Sequence, residues 1–246
     1  MSAPRPSLAH VDRDGLRLLI DPAPTRCAVA FTDRIGGSSA APYDSLNLAA
    51  TVGDDPDAVR RNRERVARAA GFAVTSLRLA RQVHGADILH VTSSDPVVAG
   101  EGDVLMTSEP GVSLGILTAD CTPVVVAGTA VVAIAHAGWR GLVAGAVEAA
   151  VDAVGEVRAA WVGPSIHACC YEVGPEVIAA FRDRGLPVAG VDRVDPGRAA
   201  TFALHRAGVE RVAASVDCTS CDRRYFSYRR DGTTGRQGAF VSLLEQ

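Results

Sequence analysis

Short apolar runs alternate along the chain with longer, alanine-rich segments in which apolar residues recur at helical spacing. The short runs are rich in β-branched residues and predict strands. They lie at Leu16–Ile20, Cys27–Thr32, Leu77–Gln82, Ile88–Thr92, Val112–Leu117, Thr122–Val126, Val131–Ala135, Ala159–Val162, Val212–Val216 and Ala239–Leu243. The longer segments predict helices at Asp57–Ala70, with Asp55 as cap, Pro56 as first residue and Gly71 as stop, and at Leu142–Val154, Pro175–Arg184 and Arg198–Ala207.

The connections between the strands decide the type of sheet. Only a few residues around Gly128 join Thr122–Val126 to Val131–Ala135, and so short a connection forces the two strands to be antiparallel. We therefore expect an α+β fold, a single layered domain with a mixed, partly antiparallel β-sheet flanked by helices. The sequence shows neither a linker nor a repeat, so residues 1–246 are predicted to form one domain.

Composition narrows the classes of function. With 246 residues, 48% of them hydrophobic, the chain can bury a large core. Its net charge of −3 gives no general attraction to nucleic acid or to a membrane, and neither partner is expected. All 25 basic residues are arginines, which excludes a Schiff-base lysine and the lysine of a P-loop. Because no apolar run has the length of a signal peptide core or a membrane span, we expect a cytoplasmic protein.

Three potential metal ligands each lie at the end of a predicted strand, next to a residue that favours a turn or ends a strand. They are His84, Cys121 and His136. Two imidazoles and one thiolate suit zinc and leave the fourth tetrahedral position for water or substrate. The wide spacing of the three residues is equally compatible with two hydrogen-bonded histidines and a small buried cysteine.

Several longer blocks occur in a fixed order along the chain. They read "RQVHGAD", "GDVLMT", "TADCTPVVV", "AIAHAGWRG", "GPSIHACCYEVG" and "FSYRRDGTTGRQ". Together with the N-terminal "RIGGSSAAPYDSLNLAATVGDDPDAVRRNRERV", they resemble the YfiH family, also called laccase-domain or polyphenol-oxidase-like proteins. The resemblance implies one YfiH-like domain, a monomer or weak homodimer, with zinc bound by His84, Cys121 and His136.

The resemblance also implies an enzyme that acts on purine nucleosides. The expected reactions are phosphorolysis of adenosine and inosine to base and ribose 1-phosphate, and deamination of adenosine. Zinc suits the deamination because it lowers the pKa of a bound water to about 7. Asp120, beside the ligand Cys121, is a candidate to orient that water or exchange a proton with it, and is equally suited to cap a turn. The predicted catalytic residues are therefore His84, Cys121, His136 and Asp120.

Phosphorolysis also needs groups that bind phosphate. Arg34 precedes "GGSS", whose backbone amides suit an anion-binding nest. Further guanidinium groups lie on the glycine-rich loop "FSYRRDGTTGRQ", at Arg229, Arg230 and Arg236. For any one of these arginines, an exposed loop position without a ligand is an equally good interpretation.

Three other polar residues are candidates to contact the substrate. Arg140 follows the predicted ligand strand through Trp139 and either reaches the pocket or packs beneath it. Asn47 and Gln82 carry amides suited to a ribose or to a purine edge, although both amides could also satisfy the local backbone.

Two cysteine pairs stand apart from the predicted ligands. Cys218 and Cys221 have the spacing of a redox or zinc half-site, which Cys169 and Cys170 could complete. Because two adjacent cysteines are awkward ligands for one ion, the sequence favours free thiols over a second zinc site.

Three other classes of protein remain as alternatives. A copper laccase is disfavoured because the chain has only six histidines and, for an axial ligand, only Met1 and Met106. A metal-free cysteine hydrolase would use Cys121 as nucleophile with a histidine base. A binding module without catalysis is the third alternative.

Overall fold

The computed structural model describes residues 5–23 and 26–244. The strands of these residues are β1 (Ala9–Arg13), β2 (Leu16–Ile20), β3 (Cys27–Thr32), β4 (Leu77–Arg81), β5 (Ile88–His90), β6 (Val98–Glu101), β7 (Val104–Thr107), β8 (Ser113–Thr118), β9 (Thr122–Ala127), β10 (Val132–Ala137), β11 (Ala159–Val162), β12 (Val212–Ala214) and β13 (Gln237–Leu243). The α-helices are α1 (Pro56–Ala70), α2 (Trp139–Ala144), α3 (Ala146–Val154), α4 (Pro175–Asp183), α5 (Pro196–Arg206) and α6 (Tyr228–Asp231), and a short 3₁₀ helix covers Val74–Ser76.

The described strands form two sheets. One has seven strands in the order β1-β2-β3-β13-β8-β4-β6, and the other has six in the order β12-β11-β9-β10-β7-β5. Each sheet contains parallel pairs, such as β4 with β8 and β11 with β12, among antiparallel ones. β9 and β10 are antiparallel, as their short connection predicts. The mixed sheets flanked by helices confirm the predicted fold class.

Three apolar clusters hold the layers together. The inner faces of the two sheets pack against each other through residues such as Phe31, Ile116 and Ile134. Alternate residues of the six-stranded sheet face the opposite way and pack on α3, α4 and α5. The outer face of the seven-stranded sheet packs on α1 through Val66 and Ala69. This alternation is what the period of two in a strand requires when both faces are covered.

Helix α1 has the predicted ends. The Asp55 carboxylate accepts a hydrogen bond of 3.0 Å from the amide of Asp57, and Pro56 is the first helical residue. Gly71 takes a left-handed conformation, with φ of +83°, and its amide closes the last turn.

The helix predicted at Leu142–Val154 is wrong in its bounds. It begins at Trp139 and is divided into α2 and α3 at Gly145, which has a φ of +94° and donates its amide to the carbonyl of Gly141. The apolar pattern continues across this glycine, so the pattern alone gives one helix where the chain forms two.

Three strands were not predicted. β1 and β6 lie at the two edges of the seven-stranded sheet and are largely exposed, so they lack an apolar pattern. β7 is fully buried but has only four residues. None of the helices in the described part of the chain is long and apolar enough to cross a membrane.

Candidate metal centre

The predicted ligands meet where the chain passes between the two sheets. β8 of the seven-stranded sheet ends just before Asp120, and β9 of the six-stranded sheet begins just after Cys121. In the register of β9 with β10, His136 pairs with Pro123, which brings it beside Cys121. His84 follows the end of β4 in the other sheet. Far-separated segments therefore deliver the three side chains to one place.

The three side chains are close enough to share a metal ion. One nitrogen from each of His84 and His136 and the sulfur of Cys121 all lie within 4.8 Å of one another. The two imidazole rings meet edge to face, with their centroids 4.8 Å apart. Two nitrogens and one sulfur are a donor set that zinc accepts, and a fourth position remains for another ligand. The residues present therefore fit the implied metal.

Asp103 contacts two of the three ligand segments from the protein interior. The sequence analysis did not identify this residue. Its side chain is fully buried, and its Oδ1 lies 2.7 Å from Nδ1 of His136. The same carboxylate accepts hydrogen bonds from the amides of Val83, His84 and Gly85, at 3.0, 3.0 and 2.7 Å. It therefore fixes the His136 ring and the loop that carries His84, the role that carboxylates commonly have behind histidine ligands.

The charges at the centre favour a thiolate. Burial alone would raise the pKa of Cys121, but the neighbouring His136 and His84 outweigh it and lower the pKa to about 6. Burial alone would lower the pKa of His136, but Cys121 and Asp103 raise it to about 9. Burial likewise opposes ionisation of Asp103, yet hydrogen bonds from His136, Gly85 and Val83 hold its pKa below the usual range. The thiolate is the form that binds a metal.

Two residues at the candidate metal centre have a strained backbone conformation. His84 has a φ of +64° and Asp120 a φ of +89°, values that residues other than glycine rarely adopt. Each such residue costs about 1–3 kcal/mol, and these conformations cluster at functional sites.

Gly138 leaves the space in which the ligands meet. A Cβ atom there would lie 2.9 Å from Sγ of Cys121 and 3.2 Å from Cδ2 of His84. Its φ of −65° is open to any residue, so a side chain is excluded by space and not by the backbone.

We expect Gly138→Ala to weaken zinc binding by about tenfold or more, because the added methyl displaces two ligands. Zinc titration of the metal-free variant measures this. Gly85→Ala is the matched control, since its Cβ would lie 3.7 Å from the nearest atom. Equal zinc affinity in both variants would show that the space at Gly138 does not matter to the centre.

Asp120 is buried, and both of its carboxylate oxygens are engaged. Oδ1 accepts a hydrogen bond of 2.7 Å from the hydroxyl of Thr219, and Oδ2 accepts one of 2.7 Å from the amide of Arg229. Its carbonyl accepts a bond from the amide of Ile166. These contacts connect Asp120 to three other segments of the chain beside Cys121, so the structure shows Asp120 as an anchor. Its predicted role in catalysis stays a prediction.

The three ligands lie in the wall of a cavity of about 630 Å³. This volume falls within the usual range for sites that bind small molecules. The wall combines apolar side chains, including Leu79, Val98 and Leu117, with the arginines Arg63, Arg81 and Arg236. The cavity therefore places cations around the metal centre.

Two of these arginines are partly buried. Arg63 on α1 donates from Nε to the carbonyl of Leu48 at 2.9 Å. Arg236 donates to the carbonyls of Thr234 and Gly235 at 2.8 and 2.9 Å. Burial lowers the pKa of both guanidinium groups, which means that they are poorly solvated and that an anion would stabilise them. Sequence analysis singled out Arg236 but missed Arg63, which lies among the other arginines of a polar helix face.

The structure places the predicted phosphate nest at Arg34 away from the cavity, and its role in binding phosphate stays a prediction. The Arg34 guanidinium donates to the Asp44 carbonyl at 2.6 Å and pairs with the Asp44 carboxylate at 3.1 Å. The amide of Gly37 donates to Oγ of Ser45, and the amide of Ser38 donates to Oδ1 of Asn62. These groups bind the protein itself, and Arg34 is outside the cavity lining.

The amides of Gln82 and Asn47 also bind the backbone. Gln82 borders the cavity, but its amide both donates to and accepts from the backbone of Leu117, at 2.9 and 3.0 Å. Asn47 is fully buried and bonds in the same way to the backbone of Ala49. Its Oδ1 also accepts the amide of Arg236 at 2.9 Å. Asn47 therefore positions a cavity arginine instead of facing the cavity.

Arg140 and Arg229 lie together in a second, more open groove. The Arg140 guanidinium stacks 4.4 Å from the centroid of the Trp139 ring, and that of Arg229 stacks 4.8 Å from the Tyr171 ring. Arg229 also donates to the Glu172 carbonyl at 2.7 Å. Of the predicted substrate residues, Gln82 thus borders the first cavity, whereas Arg140 and Arg229 border the second groove.

The fold and the site together define a protein of mixed α/β fold that gathers two histidines and a cysteine where its two sheets meet. The family model described as "Multi-copper polyphenol oxidoreductase laccase" matches residues 28–244. The chain belongs to this family, the YfiH family.

Curated relatives and a solved structure agree with this assignment. The chain is 40% identical over 237 residues to the purine nucleoside phosphorylase YfiH of Escherichia coli K12, an alignment that covers 91% of this chain and 96% of that protein. It is 42% identical to a purine nucleoside phosphorylase of Streptomyces coelicolor, covering 87% of this chain and 94% of that one. The crystal structure of the hypothetical protein YfiH from Bacillus licheniformis superposes with a TM-score of 0.86 at 31% identity, covering 94% and 97% of the two chains.

Proposed function

We propose that the protein is a zinc-dependent purine nucleoside phosphorylase that converts adenosine and inosine to base and ribose 1-phosphate, with adenosine deaminase activity in the same site. The proposal rests on one observation above all. The cluster of His84, Cys121 and His136 borders a cavity that also presents two poorly solvated guanidinium groups. The names of the relatives from Escherichia coli and Streptomyces coelicolor supply the reaction class.

In phosphorolysis, a phosphate oxygen bonds to C1′ of the ribose while the bond from C1′ to the purine nitrogen breaks. The electron pair of the broken bond leaves with the base. Zinc held by the three ligands would supply Lewis acidity for this chemistry or for deamination. Asp103 keeps the His136 ring in place through its hydrogen bond to Nδ1, which leaves Nε2 for the metal.

Arg63 and Arg236 are the residues that we assign to phosphate. Both line the cavity, and each has its guanidinium group held by backbone carbonyls. A held guanidinium loses little conformational entropy when it binds an anion. Asn47 supports this arrangement through its bond to the amide of Arg236.

We expect Arg63→Gln to raise the KM for phosphate by about tenfold or more, because a charge-assisted hydrogen bond contributes about 1.5–3 kcal/mol. The KM for inosine should change less. Arg61→Gln is the matched control, since Arg61 lies on the same helix but is exposed and paired with Asp55. Initial rates at varied phosphate measure both. An unchanged phosphate KM in Arg63→Gln would remove Arg63 from the proposed site.

The reaction itself is tested with zinc-loaded protein and either inosine or adenosine, with and without phosphate. Chromatography of the products should show hypoxanthine or adenine together with ribose 1-phosphate only when phosphate is present. Inosine should form from adenosine without phosphate. Release of base at the same rate in both conditions would contradict phosphorolysis, and adenosine that yields no inosine would contradict the deaminase activity.

A metal-free cysteine hydrolase is the second candidate, because the lowered pKa of Cys121 beside two histidines is also what an activated thiol requires. Removal of the metal by a chelator separates the two. Activity that is lost and then restored by zinc supports the metal enzyme, whereas activity that survives chelation but not alkylation supports the hydrolase.

Copper oxidation has less support in the chain. Met106 packs in the apolar core, whereas Met1 lies outside the described residues. Copper-loaded protein that oxidises phenols faster than the zinc-loaded protein turns over nucleosides would favour this alternative.

A further inference from the structure

Four cysteines outside the candidate metal centre form a second cluster. Cys169 and Cys170 lie in one loop, and Cys218 and Cys221 lie in another. The four sulfur atoms all lie within 4.8 Å of one another. Three of the pairs are closer, with Cys169 at 3.6 Å from Cys218 and 3.5 Å from Cys221, and Cys170 at 3.2 Å from Cys221. Four sulfurs around one zinc ion at 2.3 Å would be separated by about 3.8 Å. The spacing of the four sulfur atoms is therefore close to the spacing that a four-sulfur zinc site requires.

The fold overcomes the difficulty of using two adjacent cysteines. The amides of Cys170 and Tyr171 both donate to the carbonyl of His167, at 2.9 and 3.0 Å, which closes a tight turn over residues 167–171. This turn brings Cys169 and Cys170 to the same partner, Cys221. The expectation of free thiols from the sequence rested on the adjacency alone, and the turn removes that objection.

Backbone contacts orient the opposite loop. The amide of Asp222 donates to the carbonyl of Cys218 at 2.9 Å, so the "CTSC" segment is itself a closed turn. The amide of His167 donates to Sγ of Cys218 at 3.4 Å. A hydrogen bond from an amide to sulfur stabilises a thiolate, and the contact also connects the two loops.

Two arginines supply positive charge to the cluster. Arg193 donates to the carbonyls of Ala168 and Cys169, at 3.2 and 3.1 Å. Arg230 donates to the carbonyls of Thr219 and Ser220, at 3.0 and 3.1 Å. Four thiolates with one Zn²⁺ carry a charge of about −2, and one guanidinium lies against each cysteine loop. Arg230 also pairs with the Asp231 carboxylate at 2.8 Å, so part of its charge is balanced there.

We propose that Cys169, Cys170, Cys218 and Cys221 bind a structural zinc ion that joins the two loops. The consequence reaches the candidate active site. Thr219, between two of these ligands, donates its hydroxyl to Asp120, and Ile166 in the other loop donates its amide to the carbonyl of Asp120. The ion would thus hold Asp120 in its strained conformation next to Cys121. All four protein ligands are cysteines, which leaves no open position for substrate.

Metal content tests this proposal. We expect two zinc ions per chain in the wild-type protein purified under reducing conditions, and one in Cys221→Ser and in Cys169→Ser. Cys121→Ser should also retain one, because it removes a ligand of the other centre. The double variant Cys121→Ser, Cys221→Ser should bind none. The control is Cys27→Ala, a buried cysteine far from both clusters in sequence, which should retain two. This count is independent of any enzymatic activity.

Cobalt gives a second measurement on the intact protein. Metal-free protein loaded with Co²⁺ should show intense thiolate-to-metal absorption from a site with four sulfurs, and Cys221→Ser should lose most of it while Cys27→Ala keeps it. A single zinc in the wild type that disappears in Cys121→Ser would overturn the proposal. The proposal would also be overturned if the mass of the intact protein, measured without reductant, were lower than the mass of the reduced chain by two hydrogen atoms for each pair of these cysteines. Such a mass would show disulfides in place of the ion.

Discussion

Cys121→Ser is expected to lose the zinc proposed for the candidate metal centre and to reduce the proposed phosphorolysis of inosine by about a thousand-fold or more. The expected size follows because a metal acting as a Lewis acid supplies several kcal/mol, and each 1.4 kcal/mol is a factor of ten in rate. A serine hydroxyl is a much poorer zinc ligand than a thiolate. Zinc content and kcat/KM for inosine are the two measurements.

The control for this variant is Cys27→Ala, which removes a thiol from a buried strand position without touching a ligand. Its zinc content and kcat/KM should match those of the wild type. If Cys121→Ser kept full activity, neither the metal enzyme nor the cysteine hydrolase could be correct. If it lost activity but kept every zinc ion, the thiol would act as a nucleophile and the zinc would lie elsewhere.

Asp103→Asn is expected to weaken zinc binding by about 10–100-fold, the usual effect of removing the partner of a histidine ligand. The carboxylate accepts bonds from His136 and from three successive backbone amides. An asparagine has only one oxygen, so its NH₂ group must face donors. We expect a loss of about 3 kcal/mol in the free energy of unfolding, because hydrogen bonds to a buried charge are left unmade.

Zinc titration and denaturant unfolding of Asp103→Asn measure the two effects. Asp87→Asn is the matched control, since it makes the same change of charge on an exposed residue of the segment that follows His84. It should keep the stability and the zinc affinity of the wild type. An Asp103→Asn variant with normal zinc affinity but reduced stability would assign Asp103 to the fold alone.

Much of the fold could be predicted because both sheets are covered on each face. Strands such as β9 and β10 are buried along their whole length and almost entirely apolar, and the period of α1 and its end residues are unambiguous. The apolar pattern does not reveal the strands at the edges of the seven-stranded sheet. β1 and β6 pair on one side only and keep polar residues, so nothing in their sequence separates them from loops.

Sequence analysis identified some residues of the candidate site and missed others, and the difference has a physical reason. His84, Cys121 and His136 have side chains able to bind a metal, and the family resemblance selected them among the histidines and cysteines of the chain. Asp103 and Arg63 have ordinary side chains whose roles come from the fold, namely a buried bond to His136 and a place in the cavity wall. No local pattern in one sequence distinguishes such residues from exposed ones.

The motif at Arg34 shows the converse, a local pattern that suggests more than the structure supports. Glycines and a serine after an arginine do suggest an anion site, because free backbone amides and a guanidinium attract phosphate. In the structure Asp44, Ser45 and Asn62 already occupy these donors. The partners come from elsewhere in the chain, so the motif could not show that its donors were used.

Anomalous scattering at the zinc edge tests the central claim most directly, on crystals of the protein purified without added metal. The account predicts a peak between His84, Cys121 and His136, about 2.0–2.1 Å from a nitrogen of each imidazole and about 2.3 Å from the sulfur. A map without a peak at this place, in crystals of protein that catalyses phosphorolysis, would contradict it.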